Sequence, residues 1–284
     1  MKNLSQILIT AVAAAVVAFA VVNYAKPAAV DHATGTLYDQ VIKRGTIRCA
    51  YTRYSVGLMK DPNTGKVSGI YHDVIEKIAA NLSLKVAWTE EVGWANQIEG
   101  LQAGRYDMIC SPVSLNSGRA RAADFSIPLF YSPVQVWVKA DNNSLHSVDQ
   151  LNDPKIKIAV LDGEQTSVFA RQFFPKAQTV SLLQTVQFSD LLLQVTTGKA
   201  DVVFAEPLAV REFMESNPGS LKAITNTKPL VLVPNIFLLK RDEFEFKEML
   251  DNALRELFNT GYMDQVISQY EKYPNSYVRE TGMR

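Results

Sequence analysis

Two stretches of the chain repeat the same pattern with the same spacing, and this repeat limits the fold more than any other feature. One copy spans residues 94–109 and the other spans residues 188–203. The paired positions are Trp94 and Phe188, Ile98 and Leu192, Leu101 and Val195, Gly104 and Gly198, and Asp107 and Asp201. The apolar spacing predicts a helix face, the glycine predicts the helix end, and the apolar run after the aspartate predicts a buried strand. Each copy is therefore predicted to be a helix–strand unit.

Further strands and helices are predicted before each copy of the repeat. Residues 45–51 and 155–161 have the pattern of strands, and residues 71–82 and 167–174 have the pattern of amphipathic helices. Strands that alternate with helices form parallel sheets with helices on their faces. The predicted fold class is therefore α/β with two lobes, each a mainly parallel sheet covered by helices.

Two more stretches are predicted to cross between the lobes. Residues 134–139 and residues 231–239 have the pattern of strands. A chain that crosses out and then back predicts a two-strand hinge. The predicted limits are residues 38–133 for the first part of lobe 1, residues 134–235 for lobe 2, and residues 236–284 for the C-terminal part of lobe 1.

Small polar residues and an arginine follow the strand of the first copy. They are Ser111, Ser114, Asn116 and Arg119. Serine hydroxyls, the N–H groups that begin a helix and a guanidinium together suit a carboxylate, which accepts two parallel hydrogen bonds from arginine. The alternative is a helix cap followed by a surface arginine.

The matching strand of the second copy ends at Glu206. In open α/β sheets, ligands lie beyond the carboxyl ends of the strands, and a cleft between two lobes is a common binding site. We therefore expect Arg119 and Glu206 to face one ligand from opposite lobes.

The N-terminal segment is predicted to enter a membrane. Residues 3–25 carry no charge, and as a helix they span about 35 Å, which covers the hydrocarbon core of about 30 Å. Residues 1–26 are therefore either a membrane anchor or a cleaved signal peptide, and the poor cleavage site favours the anchor. Residues 27–37 are the predicted linker. In both cases the lobes are expected in the periplasm, and an uncleaved segment tethers them to the inner membrane.

Charge and metal-binding residues exclude several classes of partner. The chain has 29 basic and 29 acidic residues and no basic run, so we expect no nucleic-acid partner. Two cysteines and three histidines form no metal-ligand spacing, and we expect no metal or cofactor.

Cys49 and Cys110 each lie in an apolar run, which predicts neighbouring strands. Two buried free thiols are the favoured interpretation, and a disulfide is the alternative that an oxidising compartment permits.

From about residue 38 to residue 273 the chain resembles the family 3 extracellular solute-binding proteins. These are the amino-acid-binding components of bacterial ABC importers, with a type II periplasmic-binding fold. The matching stretches are residues 65–74, 94–107, 114–119, 124–128 and 201–206. The resemblance implies an amino acid or similar small carboxylate as ligand, and an inner-membrane ABC permease as partner.

The resemblance also assigns roles to single residues. It implies that Arg119 binds the ligand α-carboxylate and that Ser111 and Ser114 help to bind the ligand. An aspartate at the position of Glu206 binds the α-amino group in the family. Three departures alter the polar residues of the cleft. Asn116 replaces the usual threonine, Glu206 replaces the aspartate, and Glu164 and Gln165 occupy common Gly-Thr-Thr positions, with Thr166 following one step later.

The departures bear on the size and charge of the ligand. The extra methylene of Glu206 moves its carboxylate about 1.5 Å into the cleft, which favours a smaller ligand or a displaced amine. Members that bind basic amino acids often carry an acid at the position of Thr52, so a cationic ligand is disfavoured. Tyr51 and Tyr54 flank the position where the family stacks an aromatic ring on the ligand, and the aligned residue is Ser55. We expect one of the two tyrosines to line the cleft, while packing within the loop is the alternative.

The sequence is compatible with three classes of function. The favoured class is a binding protein without enzymatic activity, because the sequence shows no nucleophile–base arrangement, metal set or phosphate loop. The second is a dehydratase-like enzyme on the same scaffold, with Glu206 as general acid. The third is a sensory or regulatory relative with an altered cleft.

Overall fold

The computed structural model describes residues 35–54, 57–224, 228–274 and 276–279. The predicted hydrophobic helix within residues 1–26, most of the predicted linker and Ser55 lie outside the described residues. Among the residues that the model describes, no helix combines the length and apolar character that a membrane span requires.

Helices and strands alternate along most of the chain. The helices are α1 Leu37–Arg44, α2 Ile70–Asn81, α3 Gln97–Gln102, α4 Ser117–Ala120, α5 Gln165–Phe173, α6 Phe188–Thr196, α7 Pro207–Ser216, α8 Phe244–Asn259 and α9 Tyr262–Tyr270, with a 3-10 turn at Val148–Leu151. The strands are β1 Thr46–Tyr51, β2 Met59–Lys60, β3 Val67–Ser68, β4 Lys85–Glu91, β5 Met108–Ser114, β6 Ala123–Phe125, β7 Phe130–Lys139, β8 Lys157–Leu161, β9 Gln178–Leu182, β10 Val202–Ala205, β11 Leu221–Ala223 and β12 Val231–Lys240.

Both copies of the repeat form the predicted helix–strand unit. The first copy is α3 followed by β5, and the second is α6 followed by β10. Each helix is followed by a glycine with positive φ, 68° at Gly104 and 73° at Gly198. An L side chain rarely adopts this conformation, so glycine ends the helix at little cost and turns the chain toward the strand.

The aspartate of each copy joins its strand to the strand that opens the same half. The Asp107 carboxylate accepts a hydrogen bond from the Arg48 backbone N–H at 2.7 Å, and the Asp201 carboxylate accepts one from the Lys157 N–H at 2.8 Å. In return, the Asp107 and Asp201 N–H groups donate to the Arg48 and Lys157 carbonyls. The repeated aspartates therefore fix equivalent parallel strands in the two halves.

The main sheet contains two parallel parts. In the first part β1 lies between β4 and β5, and in the second part β8 lies between β9 and β10. The long strands β12 and β7 are antiparallel to each other and join the two parts, so that one ten-stranded sheet runs through the molecule. β7 and β12 lie at the predicted crossovers. The domain limits expected from the sequence stay a prediction.

The C-terminal helices return to the core of the first half. Phe246, Leu250, Leu254 and Leu257 lie on one face of α8 and are buried with Ile75 in one cluster. Helix positions at this spacing share a face, and burying a side chain of this size stabilises the fold by about 1.5–3 kcal/mol. The second half is built around separate clusters that include Phe204 and Val203. The chain therefore completes its first half only after crossing back through β12.

Cys49 and Cys110 form a disulfide between β1 and β5, and the favoured prediction of two free thiols is wrong. Both residues are fully buried, and their strands are parallel neighbours, as predicted. The strand pairing places the two Cα atoms 5.5 Å apart, which is within the range that a disulfide needs. The sequence does not reveal this register.

Candidate ligand-binding site

A small cavity lies between the two halves at the carboxyl ends of β5 and β10. Its volume is about 20 Å³, which is close to the space needed for one water molecule. Its polar wall contains Ser114, Glu164, Gln165, Thr166 and Glu206. We call it the central cavity. It brings together several residues predicted for the ligand site.

Arg119 contacts both halves of the molecule. It belongs to α4, and its backbone N–H donates to the side chain of Asn116 at 2.9 Å. Its guanidinium donates to the Ser114 carbonyl at 2.9 Å and to the Gly163 carbonyl of the other half at 3.2 Å. Burial lowers the pKa of Arg119, and Glu164 opposes this shift. Asn116 therefore caps the helix, which is the first part of the alternative interpretation. The Arg119 side chain reaches across to the other half of the molecule.

Asn116 and Gln165, which both depart from the family pattern, meet across the cleft. The Asn116 amide donates to the Gln165 side-chain oxygen at 2.9 Å. Gln165 begins α5 and is only 7% exposed. Glu164 precedes it and accepts a hydrogen bond from the Thr166 N–H at 2.7 Å. The polar residues on the second half are therefore held in place by the first turn of a helix.

Glu206 supplies an acidic group from the end of β10. The residue is partly exposed, but its carboxyl group is surrounded by protein. Burial raises the pKa of this carboxyl to about 7, a hydrogen bond with Ser132 lowers it, and the neighbouring Glu164 raises it. The carboxyl therefore titrates near neutral pH.

The two predicted tyrosines lie in different places. Tyr54 lines the central cavity, and burial together with Glu206 and Glu164 raises its pKa well above the usual value. Tyr51 is buried in the core of the first half, where its ring meets Trp88 edge-on. The structure therefore brings Tyr54, and not Tyr51, to the other predicted residues. Contact of Tyr54 with a ligand stays a prediction.

Ser111 and Thr52 do not line the central cavity. Ser111 is fully buried, and its hydroxyl oxygen accepts a hydrogen bond from the Thr52 N–H at 3.0 Å. The Thr52 hydroxyl donates to the Val92 carbonyl and accepts from the Gln97 amide. The middle of β5 packs the Ser111 side chain against the loop after β1, and a direct role of Ser111 in ligand binding stays a prediction.

Two outer pockets flank the central cavity. The first has a volume of about 450 Å³ and the second about 370 Å³. The first is lined partly by Met59, Leu192 and Phe213, and the second partly by Thr52 and Trp94. Tyr54 and Phe188 line both outer pockets and the central cavity. The sequence did not suggest Phe188 as a site residue, although its position in the repeat, equivalent to Trp94, is a signal that was available.

A protein-family model for bacterial extracellular solute-binding proteins, family 3, matches residues 47–273. The chain belongs to this family. The match includes every described residue of the site, and it confirms the family predicted from the sequence. Because this is a family of extracellular proteins, the protein is assigned to a location outside the cytoplasm.

Two relatives match most of the chain. Cyclohexadienyl dehydratase of Pseudomonas aeruginosa is 25% identical, and the match covers 83% of this chain and 86% of the relative. A probable amino-acid ABC transporter-binding protein of Haemophilus influenzae is 24% identical, with coverage of 84% and 90%. Both a binding protein and an enzyme are therefore among the relatives of this family 3 protein.

Solved structures show that this family 3 protein has the predicted two-lobed type II periplasmic-binding fold. The cysteine-binding protein from Campylobacter jejuni superposes with a TM-score of 0.73 at 19% identity, and covers 87% of this chain and 100% of its own. An ancestral amino acid-binding protein, a precursor of cyclohexadienyl dehydratase, superposes with a TM-score of 0.72 at 24% identity, covering 84% and 100%. At these identities the likeness establishes the fold alone.

Proposed function

We propose that the protein captures an amino acid, or a similar small carboxylate, between its lobes and presents it to the membrane permease of an ABC importer. One observation carries the proposal. The Glu206 carboxyl, from lobe 2, lines the central cavity, and the Arg119 guanidinium, from lobe 1, donates to the carbonyl of Ser114 in the wall of the same cavity. These groups complement the carboxylate and the ammonium of an amino acid. Relatives named as amino-acid-binding proteins support the same class of ligand.

The hydrogen bonds of Arg119 favour a carboxylate ligand. The guanidinium donates to two neutral acceptors, the carbonyls of Ser114 and Gly163. Hydrogen bonds to a carboxylate are roughly twice as strong as bonds to a neutral acceptor, and arginine makes two in parallel. A ligand carboxylate that replaces the Gly163 carbonyl therefore gives the guanidinium a stronger partner.

The small size of the central cavity favours a mechanism in which the lobes move. A volume of about 20 Å³ accommodates one water molecule but no amino acid. A ligand therefore enters when the lobes separate, and it stabilises a closed form in which both lobes contact it. β7 and β12 connect the lobes and are the strands about which such a hinge motion occurs.

Calorimetric titration with individual amino acids tests the proposed function. We expect at least one amino acid to bind with a stoichiometry of one. The matched control is the amide of the same amino acid, which keeps the ammonium but lacks the carboxylate that Arg119 is expected to bind. The amide should bind much more weakly. Absence of binding by every amino acid and by small carboxylates of similar size, or equal binding of the amide, would contradict the proposal.

A dehydratase activity is the second candidate, and one observation favours it. The Glu206 carboxyl, with a pKa of about 7, is partly protonated at neutral pH and can donate a proton as a general acid. The relative named cyclohexadienyl dehydratase shares 25% identity. Mass spectrometry of a cyclohexadienyl compound before and after incubation with the protein separates the candidates. Loss of water from the compound supports the enzyme, and recovery of the unchanged compound supports a binding protein.

We further propose that residues 3–25 tether the lobes to the outer face of the inner membrane. The support is the uncharged length of this segment, which suffices for one membrane span. A tether raises the concentration of the lobes near a permease in the same membrane. N-terminal sequencing of protein from the native membrane fraction tests this, and a mature start between residues 26 and 36 would contradict the tether.

A further inference from the structure

Tyr54 lies between two aromatic residues that occupy the same position of the internal repeat. Its ring meets Trp94, from the first copy, edge-on with centroids 6.0 Å apart. It meets Phe188, from the second copy, edge-on with centroids 5.7 Å apart. Both distances are within the range preferred by aromatic pairs. The repeat therefore supplies one aromatic neighbour of Tyr54 from each lobe.

The contact between Tyr54 and Phe188 joins the lobes at the edge of the central cavity. We call these two residues the aromatic wall. Both line the central cavity and both outer pockets, so the same two rings form a boundary shared by all three spaces. The wall therefore lies where a ligand would have to pass from the polar residues of the central cavity into the larger outer pockets.

Helix α6 holds Phe188 in this place. Phe188 is the first residue of α6, and the preceding Gln187 N–H donates to the Asp190 carboxylate at 3.0 Å. This bond satisfies an N–H at the start of the helix and fixes the backbone there. Leu191 and Leu192 on the same helix are buried in the core of lobe 2. The Phe188 ring is therefore carried by a helix that is anchored in the core of lobe 2.

We propose that Phe188 limits the size of the ligand and that the ligand is an amino acid with a short side chain. An amino acid whose charged groups face Arg119 and Glu206 directs its side chain away from them, and the aromatic wall bounds the space available there. This inference rests on the proposed binding function. It adds the class of side chain that the site accepts and the residue that selects it.

Affinities for glycine, alanine, serine, leucine and phenylalanine, measured by calorimetry on the wild-type protein and on Phe188→Ala, test the inference. We expect the wild-type protein to prefer the three short side chains. In Phe188→Ala the central cavity opens into the outer pockets, so the affinity for leucine and phenylalanine relative to glycine should rise by at least about tenfold. Phe188→Leu keeps an apolar side chain in the helix and should give a smaller rise.

Phe213→Ala is the matched control, because Phe213 lines the first outer pocket but not the central cavity. The ratio of affinities should not change in this variant. An unchanged ratio in folded Phe188→Ala and Phe188→Leu, or a wild-type protein that prefers leucine or phenylalanine, would overturn the inference while leaving the binding function intact. A wild-type protein that binds none of the twenty amino acids and no small carboxylate of similar size would overturn the binding function itself, and this inference with it.

Discussion

Glu206 should make ligand binding depend on pH. Its carboxyl has a pKa of about 7 in the free protein, and a bound ammonium favours the ionised form. Binding below pH 7 therefore releases a proton, and the affinity is expected to fall as the pH falls, by up to about tenfold per pH unit. Calorimetry on either side of pH 7, in buffers of different ionisation enthalpy, measures both the affinity and the released proton.

Glu206→Gln and Glu212→Gln separate this effect from other carboxyl groups. Glu206→Gln removes the titrating group, so it should flatten the pH profile and weaken binding most at high pH. Glu212 lies on α7, the helix that follows Glu206, and it lines the first outer pocket, so Glu212→Gln should keep the wild-type profile. A wild-type affinity that stays constant across this pH range would show that no ammonium meets Glu206.

Single residues of the site were only partly predictable from the sequence. Arg119 and Glu206 follow repeated strands, and strand ends are where a ligand site forms. The presence of Glu206 in the central cavity, and of Arg119 next to Ser114 in its wall, could therefore be expected. The choice between Tyr51 and Tyr54 could not be made, because it depends on which way the loop after β1 turns. The resemblance implies a direct role for Ser111, and its burial against Thr52 could not be foreseen because it depends on the same loop.

The disulfide should contribute substantially to the stability of lobe 1. It joins β1 and β5 across a sequence separation of 61 residues. Closing a loop of this length lowers the entropy of the unfolded chain and stabilises the fold by about 4 kcal/mol. Urea denaturation of a Cys49→Ala and Cys110→Ala double variant should therefore show a loss of about that size in the free energy of unfolding. A double variant as stable as the wild-type protein would contradict this role.

The helices and strands were largely predictable, because their signals are local. Apolar spacing and the positions of glycine and aspartate located α3, β5, α6 and β10, and both crossover strands lie where the sequence placed them. The disulfide was missed because strand register is not a local property. The apolar runs around Cys49 and Cys110 indicate neighbouring strands, but only the pairing of β1 with β5 fixes the distance between the cysteines.

Hydrogen bonds across the cleft should stabilise the closed lobes. The Gln184 side chain accepts a bond from the Ala95 N–H of the opposite lobe at 2.9 Å, away from the charged groups of the site. Gln184→Ala removes this bond and should shift the ligand-free protein toward an open form. Small-angle X-ray scattering should then give a larger radius of gyration than for the wild-type protein, and saturating ligand should reduce it again.

Gln178→Ala is the control for this closure experiment. The Gln178 side chain donates to the Pro154 carbonyl within its own lobe, so its loss should not change the scattering. Equal radii of gyration for Gln184→Ala and the wild-type protein without ligand would show that this bond does not hold the lobes.

The approach of the lobes was the least predictable property of the molecule. The bonds between Asn116 and Gln165 and between Ala95 and Gln184 join residues far apart in sequence. No local pattern identifies such partners, since they depend on the angle between the two lobes. The position of Phe188 next to Tyr54 in the aromatic wall also depends on the angle between the lobes.

Calorimetric titration of Arg119→Ala with the amino acid that the wild-type protein binds tests the central claim most directly. The control is Arg121→Ala, because Arg121 is exposed and follows the same short helix. We expect Arg119→Ala to bind at least about 100-fold more weakly, since a desolvated carboxylate loses its paired hydrogen bonds, and we expect Arg121→Ala to bind like the wild-type protein. A folded Arg119→Ala protein with wild-type affinity would contradict the account.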